Sequence, residues 1–283
     1  MTVLLLIGVM LLLALLGVPL VFAILAASLV TIFVYRPDLP LELIPQFFVS
    51  GVNHYALLAV AFFFLAGELM NAGGITQRIV AFAQALVGHI RGNLAHVNIV
   101  TSMMFACISG SAAAGAAVVG SVLGRSMVKK GFKPQFAGAL TAVSSVMGPI
   151  IPPSIPMIIF AVLTEQSVGK LFLAGMIPGI LIGASLMGYC YFMAVRKGWD
   201  KGEPFSRNRA LTTGRDAIVA LFVPIFILVG ILGGIFTATE AGAIAVGYSF
   251  VAGMFILKEL TWAGFYQALV RASIGTATVL VVV

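Results

Sequence analysis

Charge is scarce in this chain. Only 9% of its 283 residues are charged, while 61% are hydrophobic and the mean hydropathy is +1.15. A soluble domain of this size has no means of hiding so much apolar surface, so the composition dictates an integral membrane protein. Cysteine is nearly absent too. Cys107 and Cys190 lie in separate apolar segments, which excludes a disulfide framework and reads as two small buried hydrophobes. The histidines His54, His89 and His96 fall in loop or interfacial positions without metal-ligand spacing. There is no Gly-x-x-x-x-Gly-Lys-Ser/Thr loop and no dinucleotide fingerprint, so ATP is not used by this chain. No nucleophile stands with base and acid partners, which argues against an enzyme and against any cofactor. No series of Asp, Glu and His runs through the apolar segments, as a proton relay would need.

What charge there is sits in short loops. The net charge of +7 is not a nucleic-acid footprint, because Lys and Arg cluster between apolar runs as positive-inside signals do. Arg125, Lys129, Lys130 and Lys133 form one basic loop; Arg196, Lys197, Lys201, Arg207, Arg209 and Arg215 form a second. Both are placed in the cytoplasm. The run Val3–Val34 would be about 48 Å long as one helix, against a hydrocarbon core of about 30 Å. Gly17-Val18-Pro19 divides it in two. It has neither a basic n-region nor a small-residue cleavage site, so it reads as mature membrane structure rather than a signal peptide.

Arg36–Pro40 is then a loop and Tyr55–Met70 a third span. Ile75–His96 sets Gln77, Arg78, Gln84, His89 and Arg91 opposite one apolar stripe, the pattern of a helix lying along the interface or packed as an arm. Apolar segments follow at Val97–Leu123, Phe136–Leu163, Leu171–Val195, Ala217–Phe236 and Ala241–Leu257. Lys258–Gln267 reads as interfacial, and another span starts at Ala272.

Two of these segments are built to stop a helix. Cys107-Ile-Ser-Gly-Ser-Ala-Ala-Ala-Gly115 and Gly148-Pro-Ile-Ile-Pro-Pro-Ser-Ile-Pro156 place irregular backbone at membrane depth, which is tolerated only where it is buried in protein or lines a cavity. Such breaks mark substrate and ion sites in secondary transporters. Val97–Leu123 read as a re-entrant hairpin keeps Arg78, Arg91 and the first basic loop on one side, with Ser109-Gly110-Ser111 at the turn. Ser109 and Ser111 offer hydroxyls. Gly148, Pro149, Pro152 and Pro153, followed by Ser154, free carbonyl oxygens. Neutral oxygens suit Na⁺, and half-helix N-termini suit an anionic substrate group. The plainer alternative makes Ser-Gly-Ser a small-residue packing interface and the prolines a kink. Thr237-Ala-Thr-Glu240 fits a capping box, with Thr237 as N-cap and Glu240 returning to its N–H.

Helix, Gly17-Val18-Pro19, helix, Arg36 resembles helix, Thr237-Ala238-Thr239, helix, Lys258, at an offset of roughly 220 residues. Charge parity inverts the two copies. The expected fold is therefore an all-α polytopic membrane protein with inverted repeats. Residues 1–196 make the first repeat, 197–216 a cytoplasmic loop, and 217–283 the start of a second repeat that is incomplete. On that expectation the chain is about two-thirds of a protein.

Five ordered motifs carry a family resemblance: Asn71-Ala-Gly-Gly-Ile75, Ile108-Ser-Gly-Ser-Ala-Ala-Ala114, Gly148-Pro-Ile-Ile-Pro-Pro-Ser154, Ala174-Gly-Met-Ile-Pro-Gly179 and Gly234-Ile-Phe-Thr-Ala-Thr-Glu-Ala241. The chain resembles the large membrane (M) subunit of TRAP transporters, the tripartite ATP-independent periplasmic systems of bacteria and archaea. It departs from the family's Thr-Pro-Thr-Glu at Ala238. The resemblance implies an elevator-type symporter of the inner membrane, coupled to Na⁺, that takes organic anions such as dicarboxylates or sialic acid from a periplasmic binding protein. A small four-helix membrane (Q) subunit would pack against the scaffold. Ser109, Gly110 and Ser111 would form the hairpin tip and Gly148–Ser154 the facing unwound segment, with Na⁺ held through Ser109, Ser111 and Gly148. The competing class is a Na⁺/H⁺ antiporter or other ion-coupled exchanger of related inverted-repeat fold.

Overall fold

The computed structural model describes residues 1–40, 43–199 and 201–282. Among them the chain is helix and turn, with no strand. It divides into two compact units, Met1–His54 with Gly275–Val283, and Tyr55–Ile274.

In the first unit, α1 (Thr2–Leu15) and α2 (Leu20–Tyr35) pack against each other. They separate at Gly17, whose φ of +82° lies in the left-handed region, and at Pro19, which has no N–H to continue a helix. Ala23, Ala27 and Thr31 form the buried stripe of α2, and Thr31 Oγ1 donates back to Ala27 O at 2.7 Å. α3 (Leu43–Val52) follows, in a stretch to which the hydropathy pattern assigned no element.

The second unit opens with a 3₁₀ turn, Tyr55–Leu57, leading into α4 (Leu58–Ala72). Then come α5 (Ile75–Val87), α6 (Asn93–Ser109) and α7 (Ala112–Val119), which a π turn, Gly120–Gly124, extends into α8 (Arg125–Lys129). α9 (Pro134–Ser145) and α10 (Ile155–Leu163) are separated by an irregular turn, and α11 (Val168–Arg196) and α12 (Arg207–Leu232) are long. α13 (Ala238–Val251) ends in a second π turn, Ala252–Ile256, and α14 (Trp262–Leu280) begins in this unit. By length and composition, Tyr55–Ala72, Val168–Arg196, Arg207–Leu232 and Ala238–Ile256 are each able to cross a bilayer.

Several boundaries differ from the sequence reading. Ile75–His96 is not one helix: α5 stops at Val87, and Gly88–Gly92 turns the chain, with Gly92 at φ +72°. Two glycines four residues apart make that turn easier than a continued helix. His96 is therefore buried inside α6, its Nδ1 3.3 Å from Gly92 O, and is not interfacial. Arg125 and Lys129 lie on α8, and Arg207, Arg209 and Arg215 on α12, because Lys and Arg are good helix formers. Ser206 starts α12 by accepting from Arg209 N at 3.4 Å. Trp262–Gln267 and the span from Ala272 share one helix, α14, and Lys258–Thr261 form the turn before it.

Candidate functional site

Ser109, Gly110 and Ser111 make a turn for local reasons. α6 ends where Gly110 adopts φ +58°, and Ser111 restarts the helix as N-cap of α7, its Oγ accepting from Ala114 N at 3.4 Å. The returning arm runs back along α6. Val119 and Leu123 join Val97 and Phe105 in one apolar cluster, and Asn98 Nδ2 lies 3.8 Å from Met127 Sδ. The result is a helical hairpin.

Between α9 and α10 the chain is non-helical from 146 to 154. Ser154 ends the break as N-cap of α10: its Oγ accepts from Met157 N at 3.4 Å and donates to Pro149 O at 2.6 Å. The Pro152–Pro153 peptide is cis.

The two breaks touch through main chain. A Cβ built on Gly110 would sit 2.9 Å from Pro153 O and 3.1 Å from Ile155 N. One built on Gly148 would sit 2.9 Å from Ser111 C and 3.0 Å from Ser111 O. Only glycine allows these approaches. Ser109, Gly110, Gly148, Pro152, Pro153 and Ser154 are buried there, with Ser111 and Pro149 half-buried. Two serine-capped helix N-termini, those of α7 and α10, thus adjoin. Each carries roughly half a positive charge, which favours an anionic group. Ser109 Oγ lies 3.4 Å from Ser111 O, and the oxygens of the turns are neutral hydroxyls and carbonyls, the donor set of a hard, weakly held cation. Ser111 and Ser154 accept capping bonds, yet a hydroxyl oxygen has a second lone pair. Among the described residues no group of three or more His, Cys, Asp or Glu is placed to hold a metal ion.

Thr237 and Glu240 lie elsewhere, at the start of α13. Thr237 N donates to Glu240 Oε2 at 2.8 Å and Glu240 N to Thr237 Oγ1 at 3.3 Å, a capping box closed in both directions.

A buried polar ladder behind the tip escaped the sequence reading. Asn98 Nδ2 donates to Thr141 Oγ1 at 2.9 Å, Ser144 Oγ donates to Asn98 Oδ1 at 3.0 Å, and the Ser102 and Ser144 hydroxyls are 2.9 Å apart. Thr101 beside them has its Oγ1 buried without a hydrogen-bond partner. The signal was a polar stripe at helical spacing on each partner, Asn98, Thr101 and Ser102 on α6 and Thr141, Ser144 and Ser145 on α9. The ladder ties the hairpin to the broken span. α11 closes on both through a stripe of small residues: a Cβ on Gly175 would collide with Met157 and Ile150 O, one on Gly179 with Ile151, and one on Gly183 would meet Met103 Sδ at 2.5 Å. That stripe is the packing role of the Ala174–Gly179 motif.

Residues 7–283 match the family described as "Tripartite ATP-independent periplasmic transporter, DctM component". The sialic acid TRAP transporter large permease protein SiaM of Vibrio cholerae is 42% identical over 238 residues, 84% of this chain and 56% of that protein. The C4-dicarboxylate TRAP transporter large permease protein DctM of Pseudomonas aeruginosa is 40% identical over 231 residues, covering 82% and 54%. The 2,3-diketo-L-gulonate TRAP transporter large permease protein YiaN of Escherichia coli is 38% identical over 242 residues, covering 86% and 57%. The chain spans about half the length of these curated relatives. With a family match running from residue 7 to residue 283, this chain belongs to the DctM component family, the large permease subunits of TRAP transporters, which are multi-pass proteins of the inner membrane.

Proposed function

We propose that this chain is the permease part of a Na⁺-coupled symporter importing organic anions delivered by a periplasmic binding protein. The observation that carries the reading is the contact of the two serine-capped N-termini at Gly110 and Gly148. Their partial positive charge would face the substrate carboxylate, while Ser109, Ser111 and the carbonyls of Gly148–Ser154 hold Na⁺. The relatives are named for sialic acid, C4-dicarboxylates and 2,3-diketo-L-gulonate, and all three substrates carry a carboxylate. A small Q subunit and a binding protein complete the tripartite assembly that the family description names. ATP independence in that description fits an ion gradient as the energy source. The hairpin would be re-entrant from the cytoplasm and move with the broken span and α11 against a scaffold that includes α4, α12 and α13, as an elevator. In this arrangement residues 1–196 and 217–283 are inverted repeats. The antiporter reading lacks support, since residues 109–111 and 148–154 include no titratable side chain.

The test is uptake by the assembled transporter in proteoliposomes, with binding protein outside, at varied external Na⁺. Ser111→Ala should raise the Na⁺ concentration for half-maximal uptake about five- to tenfold, the worth of one hydrogen-bond-strength ligand of about 1 kcal/mol. Unchanged Na⁺ dependence in both Ser109→Ala and Ser111→Ala would remove these side chains from the ion site. Uptake indifferent to Na⁺ in the unaltered protein would remove the coupling itself.

A further inference from the structure

A cavity of about 530 Å³ lies at the open end of the hairpin, far from the tip. Asn93, the first residue of α6, and Lys130 with Phe132, just beyond α8, line it, so both feet of the hairpin frame the space. α6 has 17 residues, which puts the tip about 25 Å away. Three permanent cations face in, Lys130, Lys201 and Arg209, together with His89; Glu203 is the carboxylate among the described lining residues, and it pairs with Arg209 at 2.5 Å. Trp199 forms an aromatic floor against Phe132, ring centroids 4.6 Å apart. Close approaches at two glycines shape the walls: a Cβ on Gly92 would meet Trp199 Cε3 at 3.0 Å, and one on Gly202 would overlap Gly88 O.

The cavity begins at Gly198, two residues past the end of α11, whose Tyr189, Phe192 and Val195 are exposed apolar side chains. A tryptophan one turn beyond such a span sits at headgroup depth, and the surrounding basic loops belong to the cytoplasmic face. Basic pockets on that face between membrane helices suit phosphate groups.

We propose that this cavity binds a phosphate group, the chemistry shared by an anionic phospholipid headgroup and by free phosphate. Lys130 and Lys201 neutralise it, Arg209 contributes what its pairing with Glu203 leaves, and the ligand ties together the two feet of the hairpin.

Two tryptophans occur in these 283 residues, so Trp262→Phe leaves Trp199 as the one reporter within them. The protein is placed in phosphatidylcholine nanodiscs doped with brominated phosphatidylglycerol or, separately, with brominated phosphatidylcholine. A bound lipid headgroup gives stronger Trp199 quenching by the anionic lipid at equal mole fraction. Lys130→Gln with Lys201→Gln should abolish the difference, each lost cation weakening binding about fivefold. Lys130→Arg with Lys201→Arg should keep it. Both lysines are exposed, so neither pair should disturb folding, and the arginine pair reports on it directly. In undoped nanodiscs, a Trp199 emission change on titrating inorganic phosphate, lost in the glutamine pair, assigns the same site to the soluble source. No response to either probe, or an anionic-lipid preference that survives the glutamine pair, overturns the site.

Discussion

Arg78 and Glu259, 181 residues apart in sequence, are joined by a 2.7 Å ion pair that fastens α5 to the turn before α14. Arg78 also donates from Nη1 to Gly74 O at 2.9 Å. Gly74 has φ +74°, and a Cβ there would overlap the Glu259 carboxylate. The preceding Gly73 lets α4 approach the second π turn, its Cβ position 3.2 Å from Gly253 Cα. The Asn71–Ile75 motif is thus a docking joint between distant parts of one unit.

Gly74→Ala should therefore destabilise more than removal of the ion pair. The left-handed backbone costs about 1–2 kcal/mol with a side chain, whereas a pair whose side chains are 24% and 46% exposed contributes up to about 1 kcal/mol. Thermal unfolding in detergent should rank Gly74→Ala below Arg78→Gln. Equal stabilities would mean that the joint has room the structure does not give it.

At the tip, Gly110→Ala combines a left-handed φ with a Cβ 2.9 Å from Pro153 O, an overpacking of about 1–3 kcal/mol. The tip must move off the break, so transport should fall steeply. Gly138→Ala is the control. It lies inside α9 with open space around its Cβ position, and should be neutral or stabilising by about 0.4–1 kcal/mol. Normal uptake by Gly110→Ala would separate the tip contact from function.

The polar ladder should behave as a coupled set. Asn98→Ala removes hydrogen bonds with Thr141 and Ser144, and interhelical bonds in membranes are worth about 0.6 kcal/mol each, up to about 2. A double-mutant cycle of Asn98→Ala with Ser144→Ala should show non-additivity of about 0.5 kcal/mol or more. Additive losses would argue that the two side chains act independently.

Gly92 and Lys130 border the same cavity, which puts the two feet of the hairpin on one side. In a background lacking Cys107 and Cys190, cysteines at 91 and 130 should both react with an impermeant reagent from the cytoplasm, and one at 36 from the periplasm. Opposite accessibility of 91 and 130 would convert the hairpin into a crossing.

Local chemistry was legible in the sequence. Gly17 and Pro19, the Ser-Gly-Ser turn and the Gly148–Pro156 break all act on their own backbone, so residue type alone announced them. Pairings across helices were not. Asn98 meets Thr141 from 43 residues away, and Gly175 earns its place only because Ile150 and Met157 lie opposite. Hydropathy also misplaced helix ends wherever Lys and Arg continued a helix beyond its apolar part, as at α8 and α12.

Where the two breaks meet, at Gly110 against Pro153 and at Gly148 against Ser111, the contact is peptide backbone on both sides. Mutation rewrites side chains and leaves amides and carbonyls where they are. On the proposed reading, a cargo gripped by such atoms would be recognised as a charge type rather than as an individual molecule. Divergence toward new cargoes would then fall to side chains around the contact, while Gly110 and Gly148 have almost no freedom to change.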